Sequence, residues 1–355
     1  MFNFLFFRRN NKPRNWVQFL FFSKDYSLRW PYKILKIEKY IVNNKIKDWY
    51  DAVLVNPYPA SAWATNKGAH IRMHDFSKVK SISIVGPPAT YFVVNYIKSL
   101  LAGVKADIRI SENINHDSDL YFIICPQVFK ELPPPAKRIS VQMEQTISSR
   151  WFTREYLGIL QNSLATIDYS KVNLKYLSSL KAPISNIIYI PIRPMSSAAI
   201  NFHDRKKVYD VLFYGDYKVR RRKKFLAAIS KKFNLKIVSG VYGEDLWPLL
   251  CSAKVIVNIH YYENALLETT RISECLTLGL RVVSEEGSDQ SDHINQFPGV
   301  SFTPINSIPA MINAIEEQLI NFNGDLVCDE YTKFNVEDRK NLLQDLSEIG
   351  VCLPI

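Results

Sequence analysis

The chain has 355 residues, 47% hydrophobic and 22% charged, with 12 Gly and 18 Pro, which excludes a disordered, collagen-like or low-complexity polymer and suits two folded domains. Lys and Arg number 45 against 34 Asp and Glu, and the formal charge of +11 favours an anionic partner: a phosphate ligand, a nucleic acid or an anionic lipid. No stretch approaches the roughly 20 apolar residues of a membrane span. Cys125, Cys251, Cys275, Cys328 and Cys352 are far apart and form no CxxC pair, which argues against a zinc site or disulfide framework and for a reducing cytoplasm, with three of them in the core.

Residues 1–75 form an aromatic and basic N-terminal extension. Phe2, Phe4, Leu5, Phe6 and Phe7 precede Arg8, Arg9, Lys12 and Arg14, and Trp16, Val17, Phe19, Leu20, Phe21 and Phe22 follow. The charge comes after a short apolar run, the reverse of a secretory signal. The mixture suits an anionic membrane surface; the alternative is a segment docked on the protein's own core. A strand is expected over 52–55 and a turn at Asn56-Pro57-Tyr58-Pro59.

From residue 76 a strand–helix rhythm begins. Strands are expected at 81–85 (SISIV), 105–110, 120–124 (LYFII), 138–141, 165–167 and 187–190, with helices at 89–101 and 151–162. Residues 191–205 read as a linker, with Pro191 and Pro194 at its start. The rhythm then restarts, with strands at 208–213 (VYDVLF), 235–238, 254–259 (KVIVNI) and 280–284 (LRVVS). Helices are expected at 219–232, 244–252, 265–278, 308–320 and 335–348, the fourth capped by Ser307 with Pro309 in its first turn.

Continuous rather than alternating apolar strands, separated by helices, mark parallel sheets covered on both faces. The expected fold is therefore α/β, with two Rossmann-like doubly wound domains facing a cleft. The first spans 76–195 and the second 196–355, with the last helix returning to the first. Ligands of such sheets lie at the carboxyl ends of the strands, so the site belongs in the cleft.

Residues 254–289 are the richest in chemistry. A strand delivers Asn258, His260, Tyr261, Tyr262 and Glu263 to its carboxyl end; a helix carries Glu268, Arg271 and Glu274; a second strand ends at Glu285. Arg271 is an i, i+3 neighbour of both Glu268 and Glu274, which fits either a ligand-facing row or a solvated ion-pair ladder. His260 is either a hydrogen-bonded core histidine or a proton-transfer group. Tyr261 and Tyr262 can stack on a base or sugar, or one can be core. Upstream, Gly215 ends a strand and allows close backbone approach, and Arg220 and Arg221 open a helix, where amides and the dipole favour phosphate. A helix cannot aim all of Arg220 to Lys224 at one ligand, so part of that run is a solvated face. In the first half, Glu144 ends an apolar strand and is either a base or a helix cap near Arg150. Gly86-Pro87-Pro88 lacks the glycines of a dinucleotide loop, and no phosphate loop, nucleophile elbow or H-E-x-x-H occurs. His70, His74, His116, His203 and His293 show no ligand spacing, so no built-in metal is expected.

Glu274 to Ser284, read E-x-x-x-x-G-x-x-V-V-S, resembles the donor helix of nucleotide-sugar-dependent glycosyltransferases with two Rossmann domains, the GT-B fold. Asn258 to Glu285 and the Phe213-Tyr214-Gly215 plus Arg220-Arg221 element are similar to a group of bacterial glycosyltransferases of the group 1 type that build surface glycans. Val141 to Gln145, Trp151-Phe152 and Asp168-Tyr169-Ser170 resemble the acceptor side of that group. The resemblance covers about residues 80–350.

The resemblance implies a donor site of Gly215, Arg220, Arg221, Tyr261, Tyr262, Glu268, Arg271, Glu274 and Glu285, with His260, Glu144 and Glu263 as catalytic candidates. Glu274 would hold the ribose hydroxyls and Arg side chains would neutralise the leaving diphosphate, without metal. It implies a nucleotide-sugar as donor substrate, no bound cofactor, a lipid-linked or growing surface glycan (lipopolysaccharide, O-antigen or capsule) as acceptor, and retention of configuration. The location implied is the cytoplasm, peripheral at an anionic inner-membrane surface, with no nucleic-acid partner. The wider family carries a second Glu eight residues before Glu274; here that residue is Leu266, and Glu263 or Glu268 stands nearby. The alternatives are a basic nucleic-acid-binding protein using the run at 218–224 and a glycosyltransferase-fold scaffold without activity.

Overall fold

The computed structural model describes residues 75–355 apart from 116, 148–151, 181–183, 185, 196–205, 294–295 and 325–330. The expectations for the N-terminal extension, for Arg150 and Trp151, and for most of the linker lie outside the described residues.

Two separate parallel sheets organise the chain. The first contains β1 (Ser81–Val85), β2 (Asp107–Ser111), β3 (Leu120–Ile124), β4 (Arg138–Gln142), β5 (Ala165–Asp168) and β6 (Ile187–Tyr189), in the order β2-β1-β3-β4-β5-β6. The second contains β7 (Tyr209–Tyr214), β8 (Leu235–Val238), β9 (Ala253–Asn258), β10 (Arg281–Glu285) and β11 (Val300–Thr303), in the order β11-β10-β9-β7-β8. Counted within each unit, both share the order 2-1-3-4-5, and the first adds one strand. These are two Rossmann-like doubly wound units. Their switch points lie between β1 and β3 and between β7 and β9, where outgoing loops diverge and open a crevice.

The central strands explain the unbroken apolar runs. All five residues of β3 are buried, because helices cover both faces of the sheet. The helix α1 (Tyr91–Leu100) buries Phe92, Val93, Tyr96, Ile97 and Leu100 on one stripe. Thr153 caps α2 (Arg154–Gln161) by accepting from the Tyr156 amide, and Ser170 caps α3 (Lys171–Ser178). The second unit carries α4 (Arg220–Ser230), α5 (Leu246–Cys251), α6 (Thr269–Thr277) and α7 (Ile308–Ile320), and Ser307 accepts from Ala310 at the start of α7 as expected. Cys125, Cys251 and Cys275 are buried free thiols.

The sequence reading missed α3 and β11. Only Asn173 and Leu177 of α3 are buried, and β11 is a half-exposed edge strand, so neither leaves a strong apolar pattern. The expected helix at 265–278 begins later, at Thr269, so residues 265–268 form a turn before it.

The last helix, α8 (Tyr331–Glu348), lies against α1 of the first unit. Leu342, Leu346 and Val351 join that unit's core, and the Lys105 amide donates to Pro354 O at 2.7 Å. Between the units, Ser273 of α6 donates to Ile192 O at 3.0 Å and Met195 N donates to Thr277 Oγ1 at 2.8 Å. The helix that carries Arg271 and Glu274 is thereby fastened to the segment joining the units. Among the described residues no helix is long and apolar enough to cross a membrane.

Candidate functional site

Two cavities, each about 250 Å³, open where the carboxyl ends of the two sheets face each other. One is built from Pro88, Ala89, Tyr91 and Phe92 after β1, Gly215 and Asp216 after β7, the turn 240–243 after β8, and Arg271 and Glu274 of α6. The other lies between Met143, Glu144 and Gln145 after β4 and Tyr261, Tyr262, Ala265 and Glu268 after β9. Both sit where doubly wound sheets place their ligands.

Glu274 is buried in the wall of the first cavity. Its Oε1 accepts from Trp247 Nε1 and its Oε2 from the Tyr214 hydroxyl, each at 3.0 Å. Burial raises its carboxyl pKa above the ordinary value, opposed by those two hydrogen bonds and by Arg271. Arg271 donates to Tyr214 O at 2.6 Å and meets Glu268 at 3.1 Å, and its guanidinium lies 4.6 Å from the Tyr214 ring centre. Gly215 adopts φ +115°, and a Cβ there would stand 2.9 Å from Arg271 Nη2, so this position requires glycine.

Glu268 occupies the N-cap position of α6 and faces the second cavity. Arg222 and Arg271 each approach it at 3.1 Å, and His260 Nδ1 at 3.6 Å. Burial would raise its pKa, but Arg271, the His260 ring and Arg222 outweigh that and hold it well below the carboxylate range. Glu268 lines one cavity and Arg271 the other, so this ion pair forms the wall between them.

The remaining expected residues divide. Tyr261 and Tyr262 face the second cavity as an edge-on pair 4.9 Å apart. Glu144 lines the same cavity and accepts from Gln127 at 2.8 Å; Thr153, not Glu144, caps the helix that follows. Its loop is fixed from beneath. Gln142, Asn173 and the buried Asp168 interlock there, and Asn173 Nδ2 donates to Glu144 O at 3.0 Å. Burial pushes the Asp168 carboxyl up to about 7, against the hydrogen bonds from Ser170, Gln142 and Asn173.

Five candidates line neither cavity. Glu285 is fully buried and accepts from Arg221, the His260 amide and the Asn306 amide, so both oxygens are spent inside the protein. Arg221 is correspondingly spent on Glu285, His260 O and Asn306. Arg220 is exposed on α4 and lines neither cavity. Glu263 is exposed and accepts from Asn306 Nδ2, outside both cavity walls. His260 is fully buried behind Glu268; its Nε2 lies 3.2 Å from both Glu285 O and Glu286 O, and its Nδ1 has no hydrogen bond. Strand ends tuck under the loops that follow them, so nearness to a carboxyl end did not mean exposure to the cleft. Of Arg271's two expected helix partners, only Glu268 forms an ion pair with it; Glu274 turns to Tyr214 and Trp247.

Sequence reasoning missed Arg222, Gln145, Tyr91 and Trp247. A helical signal did exist for Arg222. It precedes Phe225, Leu226 and Ile229 by three, four and seven residues and so shares their buried stripe. Tyr91 and Trp247 meet edge-on at 5.6 Å across the cleft, and Tyr91 donates to Glu244 at 2.7 Å. Among the described residues no group of three or more His, Cys, Asp or Glu could hold a metal ion.

No protein-family model matches the chain. Two uncharacterized proteins of Acanthamoeba polyphaga mimivirus are similar in sequence. One is 24% identical over 293 residues, 75% of this chain and 36% of the relative. The other is 26% identical over 227 residues, 60% of this chain and 70% of the relative. The chain thus spans about a third of the first relative's length. Among solved structures, HepE of Anabaena in complex with UDP and glucose gives a TM-score of 0.47 at 10% identity, covering 76% of this chain and 99% of that one. An α-glucosyltransferase in complex with UDP and a 13-mer DNA gives 0.45 at 9% identity, covering 76% and 95%. A glycosyltransferase of avilamycin A biosynthesis gives 0.44 at 13% identity, covering 76% and 98%. The fold assignment rests on the strand order and register described above.

Proposed function

We propose that the protein is a glycosyltransferase that takes a sugar from a nucleotide-sugar donor, with residues 196–355 as the donor domain and 76–195 as the acceptor domain. The observation that carries this reading is the row Glu274, Arg271, Glu268, with a carboxylate in each cavity and a guanidinium between them. A nucleoside fits the first cavity, where the Glu274 carboxylate can accept from both vicinal ribose hydroxyls. The diphosphate then falls beside Arg271, the Gly215 backbone and the amino end of α6, all of which favour negative charge. The sugar enters the second cavity between Glu268 and the Tyr261–Tyr262 pair.

Chemistry in this arrangement is leaving-group stabilisation and orientation. Arg271 faces the charge that grows on the departing diphosphate, the role that makes a metal unnecessary. Glu268 is held ionised by two arginines, so it accepts hydrogen bonds from sugar hydroxyls and not protons. Glu144 faces it from the acceptor domain as the base that takes the acceptor's hydroxyl proton. His260 positions Glu268 from behind. We propose a lipid-linked or growing surface glycan as acceptor, at the cytoplasmic face of a membrane, on the strength of the sequence resemblance alone.

Nucleotide release (UDP, GDP, ADP or CMP) from a panel of UDP-, GDP-, ADP- and CMP-linked sugars tests this reading. Turnover by the wild type that falls at least a hundredfold in Arg271→Ala supports it. Turnover by neither protein, with tight salt-dependent binding to DNA or RNA, supports the nucleic-acid alternative.

A further inference from the structure

A side-chain amide joins the two units across the second cavity. Gln145, on the loop after β4, accepts from Leu266 N at 3.0 Å and donates to Leu266 O at 3.1 Å. It pairs with both main-chain groups of one residue, as a neighbouring strand would.

Each half of this contact is anchored within its own unit. Thr146 donates its amide and hydroxyl to Asn173 Oδ1, and Asn173 is itself tied to Asp168. On the opposite side, Leu267 N donates to Asp289 Oδ1 at 2.8 Å and Ser288 N to Ala265 O at 2.9 Å. A Cβ on Gly287 would lie 2.4 Å from Leu267 N, so the turn at 265–268 is packed onto its support. The two loops, each held within its own unit, are joined here by two hydrogen bonds.

We propose that Gln145 is a cross-domain positioning residue whose pairing with Leu266 sets the acceptor-side loop against the turn that delivers Glu268. Gln145 follows Glu144 and Leu266 precedes Glu268 by two residues, so the clasp fixes both carboxylates at once. The Leu266 side chain is buried and does not line the cavity. Its main-chain groups are both held by Gln145. The clasp is a property of the protein alone; its use in closing over a sugar rests on the donor reading above.

Hydrogen–deuterium exchange resolved to single amides on the full chain tests it. In Gln145→Ala, or in Gln145→Leu where the first variant folds poorly, the Leu266 amide exchanges roughly tenfold faster. The Leu267 amide keeps its rate, because its acceptor Asp289 belongs to the same unit. Leu266 exchange that is unchanged, or that rises together with Leu267, overturns the clasp. UDP, UDP-glucose and GDP-mannose then separate the clasp from the donor reading. Slowing of Leu266 by a nucleotide-sugar but not by UDP, lost in the Gln145 variant, supports its use over the sugar. If none of the three alters any exchange while the difference at Leu266 persists, the clasp stands and the donor reading falls.

Discussion

Arg222 reaches Glu268 at 3.1 Å from the buried stripe of a helix whose Arg220, Lys223 and Lys224 face solvent. One basic run thus contains both a structural cation and surface charge. Arg222 also donates to Ile259 O at 2.7 Å and Asp216 O at 2.9 Å, and its removal takes one of two arginines from Glu268 and leaves two carbonyls without this donor.

Arg222→Met is therefore expected to destabilise the fold by about 3 kcal/mol, the loss typical of breaking a buried pair. Arg220→Ala is expected to stay within about 0.5 kcal/mol of wild type. Urea unfolding of both variants distinguishes them, and equal losses would contradict the placement of Arg222.

The architecture was legible because each sheet is buried on both faces, which leaves runs such as Leu120–Ile124 apolar throughout. Capping chemistry was legible too, as at Ser307. Arg271 and Glu274 stood out by spacing on one helix. Glu285 turns inward and His260 takes the buried place that was one of its two readings, because a strand's end residue can face either way and nothing local in sequence distinguishes the two fates. Gln145 and Tyr91 act through contacts 121 and 153 residues away, beyond any periodicity or motif.

Asp168 makes stability depend on pH. Its folded pKa of about 7 lies above the unfolded value of 3.8, so the folded state holds the proton in between. The stabilisation is fully present below the unfolded value and is lost as pH rises through the folded one. Unfolding free energy is expected to fall by about 3 kcal/mol between roughly pH 5 and pH 8, and Asp168→Asn to flatten that slope. Denaturant melts across this range provide the check; an unchanged slope in the variant contradicts it.

Gly215→Ala tests the close approach of backbone and guanidinium. The added methyl meets Arg271 Nη2 at 2.9 Å and forces a side chain into a left-handed conformation. Arg271 must shift, so nucleotide affinity is expected to drop at least tenfold, with a stability loss of about 1–3 kcal/mol. Titration calorimetry and melting on the same sample separate the two effects.

Glu144→Gln tests the acceptor base. Loss of a general base is expected to lower kcat by roughly 10²–10⁴ while leaving donor affinity within about twofold. Steady-state kinetics with donor saturation reads both, and a variant with full kcat removes Glu144 from the chemistry.

The most direct measurement is calorimetric titration of UDP, GDP, ADP and CMP into wild type, Glu274→Ala and the exposed control Arg220→Ala. One nucleotide is expected to bind wild type and the control alike and to bind Glu274→Ala at least tenfold more weakly. Because burial raises the Glu274 carboxyl pKa and ribose recognition uses the ionised form, wild-type affinity is expected to weaken as the pH is lowered toward that raised value. Equal binding to wild type and Glu274→Ala, or binding to neither, would contradict a nucleotide-sugar site at the cleft.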